Sequence, residues 1–434
     1  MTLTLLHPST AVSLNTPQVH HLPQGFTIIA EQIPVEAVNL SLWVNVGSAI
    51  EPDPINGMAH FLEHMVFKGT QKQQVGEFER AIEERGAVTN AATSQDYTHY
   101  YITTAPKDFS NLAPLQIDVV VNPTIPDEAF ERERSVVLEE IRRSEDSPRR
   151  RNFQRGIEVA FENLPYRRPV LGPTAAIEAL TPQQMRDFHG TWYQPQSMTA
   201  VAVGNLPVEK LVEIVADGFA QALGSNSTAP QFPIPSLHTP NPEAPFPQIV
   251  RREYTDRTLQ QARLMMVWRV PGLMQLEQTY ALDVLASILG QGRTGRLVRE
   301  LREEKGLVSH IGAGNVNYRL QGIFQVSAQL PAENVEEVEA AIVRHIQQLH
   351  AEPVLDSEIA RIRTQVANRF VFGNETPSDR ANLYGYFHSM VGDLQAALDY
   401  PKTIQAQEAV DLQQAARQYL PPDAYGIVII RPGS

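Results

Sequence analysis

Trp43-Val44-Asn45-Val46-Gly47 returns 225 residues later as Trp268-Arg269-Val270-Pro271-Gly272. A second anchor, Tyr193-Gln194-Pro195 followed by the apolar run 198–203, returns as Tyr419-Leu420-Pro421 followed by 426–430, at a separation of 226. Two anchors at nearly one spacing describe one domain written twice. Between the copies, seven prolines from Pro230 to Pro247 make a stretch suited to neither helix nor central strand. The reading is an N-terminal domain 1–225, a proline-rich linker 226–249 and a homologous C-terminal domain 250–434. In the first copy, residues 25–31 and 38–46 read as strands, 88–104 as one or two more, and 199–203 as a closing strand. Helices are expected over about 56–64, 76–84, 127–145 and 181–191. Strands and helices mix without regular βαβ alternation. The expected class is α+β: two duplicated domains, each a mostly antiparallel sheet covered by helices on one side.

Just beyond the first anchor stands His60-Phe61-Leu62-Glu63-His64. On a helix the two His, four apart, project from one face and can hold one metal ion. Glu63 flanks that face, where a carboxylate can take a proton from a water, the order of parts in the inverted zinc-peptidase motif. The duplication supplies a control. At an offset of 225 the motif falls on Leu285, Ile288 and Leu289, in a window without His or Glu. The second copy of the helix therefore reads as apolar and structural.

A catalytic zinc usually has three protein ligands, so one more is needed. In Glu131-Arg-Glu-Arg-Ser-Val-Val-Leu-Glu-Glu-Ile141, the 100° advance per residue sets Glu140 on the apolar side with Val136, Val137 and Ile141, nearly in line with Glu133. Glu139 points toward Arg132, Arg142 and Arg143. A carboxylate on the apolar face is costly unless paired or metal-bound. Glu140 is thus the expected third ligand, and Glu133 a candidate to orient a ligand His.

Composition limits the partners. Hydrophobic residues make up 42% and charged residues 20%, as in a globular chain. There is no cysteine, which excludes disulfides and thiolate ligands. Forty-nine acidic against 36 basic residues give a net charge of −13, opposite to a nucleic-acid binder, and mildly suggest basic substrates. No apolar run approaches the length of a membrane span, and the first basic side chain is Lys68, so no leader is expected. The expected compartment is the cytoplasm, with neither membrane nor nucleic acid as partner.

The phrase from His60 to Thr70, with Val137-Leu138-Glu139-Glu140 further on, resembles the pitrilysin-type zinc peptidases, which include mitochondrial processing peptidase and insulin-degrading enzyme. Asn90-Ala91, Thr93, Asp96, Thr98 and Tyr100 are similar to that family's strand beside the active site, and Leu171-Gly172 and Tyr193-x-Pro195 also fit. The resemblance implies that one zinc ion is held by His60, His64 and Glu140, with Glu63 as general base. It implies that the first domain is catalytic and the second is not, and that Asn90 and Ala91 hold a peptide substrate as an added strand. The alternative is a non-catalytic assembly subunit of the same fold, like the core subunits of bc1 complexes.

One departure bears on partners. The family carries an Arg and, seven residues on, a Tyr in its second half. Here Leu301-Arg302-Glu-Glu-Lys-Gly-Leu307-Val-Ser309 keeps the Arg and has Ser for Tyr. By resemblance Arg302 grips substrate, and in short members these residues reach the zinc site of another subunit. The expectation is a heterodimer whose second subunit supplies Arg and Tyr, with a homodimer using His310 or Tyr318, or a tolerated loss of the Tyr, as the other options.

Overall fold

The computed structural model describes residues 16–224 and 240–433. The first half runs β1 (Gln18–His21), β2 (Thr27–Gln32), β3 (Val38–Val44), α1 (Met58–Met65), α2 (Glu77–Glu83), β4 (Val88–Thr93), β5 (Thr98–Thr104). It continues α3 (Phe109–Val121), α4 (Asp127–Asp146), α5 (Pro148–Ala160), α6 (Thr174–Ala179), α7 (Pro182–Trp192), β6 (Met198–Gly204) and α8 (Val208–Leu223). The second runs β7 (Val250–Asp256), β8 (Ala262–Pro271), α9 (Tyr280–Gly290), β9 (His310–Val316), β10 (Gln321–Leu330), α10 (Val335–Ala351). It closes with α11 (Asp356–Phe372), α12 (Pro377–Val391), α13 (Gln395–Ala406), α14 (Ala409–Tyr419) and β11 (Gly426–Pro432). In the first half, helices α3, α5, α6 and α8 and strand β1 have no counterpart among the sequence expectations.

The second sheet repeats the first from β2 onward, and β1 has no counterpart in it. The first has the order β1-β2-β6-β3-β5-β4 and the second β7-β11-β8-β10-β9. In each, the first long strand pairs parallel with the last (β2 with β6, β7 with β11), and the other pairings are antiparallel. The architecture is α+β in two sheet-and-helix halves. Of the proline-rich stretch, 225–239 lies outside the described residues and 240–249 runs without regular structure. It is nonetheless pinned. The Glu243 carboxylate accepts from the Glu162, Asn163 and Leu164 amides and meets Arg269 at 3.0 Å. Among the described residues no helix is long and apolar enough to cross a membrane.

The sheets differ from expectation in having both faces covered. Leu40, Leu42 and Val44 of β3 point into a core with the first half's own helices, while Trp43 points the other way, against Ala381 and Tyr384 of α12. In return α5 lies on β8 and β11, with Ile157 and Val159 against Met265 and Val428. The halves thus exchange one helix each, which is why β3 and β6 are buried along their whole length. The exchange corrects the first anchor. Trp268 packs with Leu264, Met266 and its own helices, next to Phe324 and Tyr425. Trp43 and Trp268 therefore occupy opposite faces of their sheets. In a strand, an odd offset reverses the side chain, so the true register of β3 on β8 is even.

Both exchanged helices begin alike. Ser147-Pro148 and Thr376-Pro377 cap α5 and α12, and the fourth residue of each helix is an Arg. Arg151 pairs with Asp256 at the end of β7, and Arg380 pairs with Glu31 near the end of β2. Glu31 is 2% exposed and also accepts from the Tyr384 hydroxyl at 2.9 Å. Removing one partner of a buried pair strands a charge. Arg380→Ala should lower unfolding free energy by about 3–5 kcal/mol. Arg151→Ala should cost less, because its aspartate keeps 18% of its side chain in solvent. Urea titrations of both variants measure the difference.

Candidate metal centre

α1 is short and begins at Gly57, whose φ of 99° and lack of a capping side chain leave the first amides open. Glu51 serves in place of a local cap. Its carboxylate, 1% exposed, accepts from Gly57 N at 2.8 Å, Ala59 N at 2.7 Å and Asn56 Nδ2 at 2.9 Å. A negative group there also complements the helix dipole. Burial pushes the Glu51 carboxyl up to about 7 against those hydrogen bonds. Gly57 is held against Leu171 and Gly172, where a Cβ would lie 2.6 Å from a carbonyl oxygen, so both glycines of this contact serve close approach. Met58, Ala59, Phe61, Leu62 and Met65 fill the core, with Phe61 stacked 4.5 Å from Phe130 of α4. The remaining His60, Glu63 and His64 face α4 and β4.

There His60 Nε2 lies 3.4 Å and His64 Nε2 3.6 Å from the same oxygen of Glu140. These separations are too long for good hydrogen bonds. They match the edges of a tetrahedron whose ligands stand about 2.0–2.2 Å from a zinc ion, which are about 3.3–3.6 Å. The ligand atoms all lie within 4.8 Å of one another, and among the described residues no other group of three His, Asp or Glu converges so. Burial first, then the neighbouring His64, pushes the His60 imidazole down to about 3, so it stays neutral and free to donate a lone pair. Its buried Nδ1 has no hydrogen-bond partner. Two imidazoles and a carboxylate suit zinc and its borderline neighbours.

Glu133, one heptad before Glu140, reaches His64 Nδ1 at 3.6 Å while its other oxygen meets Lys68 Nζ at 3.0 Å. Lys68 escaped the sequence reading, although its place four residues after His64 puts it on the same side of the chain. Glu139 turns away to Arg142 and Arg143, at 3.4 and 3.2 Å. Glu63 accepts a 2.5 Å hydrogen bond from the Thr93 hydroxyl at the end of β4, and burial raises its carboxyl above the usual range. β4 is the free edge of its sheet. Asn90 and Ala91 lie on it, the Asn90 side-chain oxygen accepting from the Ala91 amide at 2.9 Å. Asp96 has another task. It accepts from Tyr166 OH and from the Arg319 amide, tying the β4–β5 turn to the second half.

The second-half candidates stand apart from this group. Arg302 sits in a π-helical turn, Val298–Glu304, paired with Glu303. Ser309 is exposed and donates to Gln261 and the Gln329 carbonyl. All their polar contacts are within the second half. Tyr318 is 6% exposed and stacked 4.4 Å from Tyr166. His310 opens β9 and is exposed.

Residues 27–174 match the family described as insulinase (peptidase family M16), and residues 179–366 match the peptidase M16 inactive domain. An uncharacterized zinc protease of Streptomyces coelicolor is 29% identical over 403 residues, covering 92% of this chain and 86% of that one. The crystal structure of a protease from Helicobacter pylori superposes with a TM-score of 0.87 at 24% identity, over 96% of this chain and 99% of that one. Pitrilysin gives 0.78 at 21%, over 96% of this chain and 45% of its own. At these identities the two structures speak for the fold alone.

Proposed function

This chain belongs to the pitrilysin-type peptidase family M16, and on that premise we propose that it is a zinc-dependent endopeptidase hydrolysing short unfolded peptides. The observation that carries the reading is the meeting of His60, His64 and Glu140 around one point, with Glu63 held beside it by Thr93. A zinc ion held there would supply a Lewis acid that lowers the pKa of water toward about 7 and polarises a carbonyl. Glu63 would take the proton from the attacking water and deliver it to the leaving amine. Thr93 fixes the carboxylate oxygen on one side, leaving the other for the water. Glu133, steadied by Lys68, orients the His64 ring. The free edge of β4, at Asn90 and Ala91, lets an extended peptide add as a strand, a mode that makes few demands on side chains. An arginine and a tyrosine, at the places held here by Arg302 and Ser309, come to this site from a second, homologous subunit, and the setting is cytoplasmic.

The rival reading is a non-catalytic assembly subunit. Against it stands the complete ligand set and base. Protein purified without chelators should contain about one zinc per chain. Glu140→Ala should lose it and Glu139→Ala should keep it, because only Glu140 faces the histidines. A metal-free wild type that cannot be reconstituted would decide for the assembly subunit. Retention by Glu140→Ala with loss by Glu139→Ala would overturn the choice of ligand.

A further inference from the structure

We propose that the second half holds a ligand site of its own, a cavity between α9, α11, α12 and α13 that takes a short apolar peptide or apolar amino acid by its charged ends. The cavity measures about 480 Å³. It lies between the repeats of the helices that carry the metal ligands, since α9 repeats α1 and α11 repeats α4 in the duplicated order. The expectation that α9 is wholly apolar and structural fails here. Leu285, Ile288 and Leu289 are core, but Asp283 and Ser287, spaced as His60 and His64 are, border the cavity.

Asp283 accepts from Asn315 Nδ2 of β9 at 2.8 Å and from Tyr400 OH at 3.2 Å, both neutral donors. No Lys, Arg or His pairs with it among the described residues. Burial pushes its carboxyl up to about 6, as befits an acid short of a counter-charge. Asp379, also on the wall, is already engaged by the Thr376 hydroxyl at 2.6 Å. Arg369 is exposed on the rim without an ion-pair partner among the described residues, and its charge reaches the Tyr400 hydroxyl. Ile362, Val366, Phe370 and Leu383 form apolar wall between them. Asn374, 6% exposed, donates to the Phe370 carbonyl but leaves its Oδ1 without a partner, as does Asn382. Orphaned polar atoms gathered at one cavity call for a missing donor.

An acid without a cation, a free guanidinium and apolar wall complement an α-ammonium group, a carboxylate and an aliphatic side chain. A metal is not indicated, because no triad of ligating side chains meets there. The site is independent of the metal centre, and its test is chosen to keep the two apart. Isothermal titration of the full chain with the dipeptide Leu-Leu, and with leucine, should show saturable binding of at least one. N-acetyl-Leu-Leu, which loses the ammonium facing Asp283, should bind more weakly by about thirtyfold or more, the usual effect of removing one partner of a buried charge pair, and Leu-Leu amide, which loses the contact to exposed Arg369, by about two- to fivefold. Asp283→Asn should weaken the dipeptide about as much as N-acetylation does and the rim variant Arg369→Gln about as much as amidation, while His60→Ala leaves its binding unchanged. Absence of saturable binding by both ligands would overturn the proposal. So would equal binding of the blocked dipeptides, or loss in His60→Ala with retention in Asp283→Asn.

Discussion

Replacing Glu63 by Gln is expected to leave the metal content unchanged and to lower kcat roughly 10²–10⁴-fold, the usual contribution of a positioned proton-transfer group. The amide keeps the size of the carboxylate and can still accept from the Thr93 hydroxyl, so α1 and its two histidines should stay in place. What is lost is the base. KM should change little, because Glu63 does not lie on the edge of β4 where the substrate is proposed to add. Zinc analysis beside steady-state hydrolysis of a quenched peptide separates these effects. Near-normal turnover in a zinc-loaded Glu63→Gln protein would take Glu63 out of its role. Loss of zinc along with turnover would make it a structural residue instead.

The second large effect concerns the missing tyrosine. The isolated chain should bind zinc yet hydrolyse peptides slowly, and one equivalent of a homologous chain bearing the Arg and Tyr should raise kcat roughly 10²–10³-fold. That is the effect of supplying one preorganised donor to a developing oxyanion, about 2.7–4 kcal/mol. Ser309 is exposed and held by Gln261 and Gln329, so its short hydroxyl is already engaged. Tyr318 is closed off by its stack on Tyr166. Of the residues considered for a homodimer, only His310 remains exposed. Ser309→Tyr should restore part of the rate to a homodimer. Full activity of the single chain, unchanged by any added subunit, would sink the two-subunit proposal while leaving the metal centre untouched.

What could be read along the chain was what depends on neighbours in sequence. The helix period alone set His60 beside His64, and turned Glu140 toward them and Glu139 toward the arginines, as the coordinates place them, although Val136 of the expected apolar face is 44% exposed. Helices α1, α2, α4 and α7 and strands β2 to β6 of the first sheet stand within a few residues of expectation, since their apolar periodicity is local, while β1 was not anticipated. α5 and α12 were harder. α5 carries four arginines on thirteen residues, and the apolar residues of α12 are spread around it because it touches the first sheet on one side and the cavity on another. The repeated Ser/Thr-Pro-x-x-Arg phrase was the available signal for both.

The sequence by itself determined that the domain is written twice, that only one copy bears histidines at metal spacing, and which face of α4 can answer them. These follow from chemistry within one helix or from comparison of two segments. Only the tertiary structure decided how far apart the answering atoms are, that Thr93 holds Glu63, that Lys68 steadies Glu133 and that Glu51 caps α1. It also reversed the face of Trp268 and showed that each half covers the other's sheet with a helix. Each of these contacts joins separate elements, across a strand register or a helix exchange. A one-residue change in that register alters the outcome completely while leaving the local pattern almost the same.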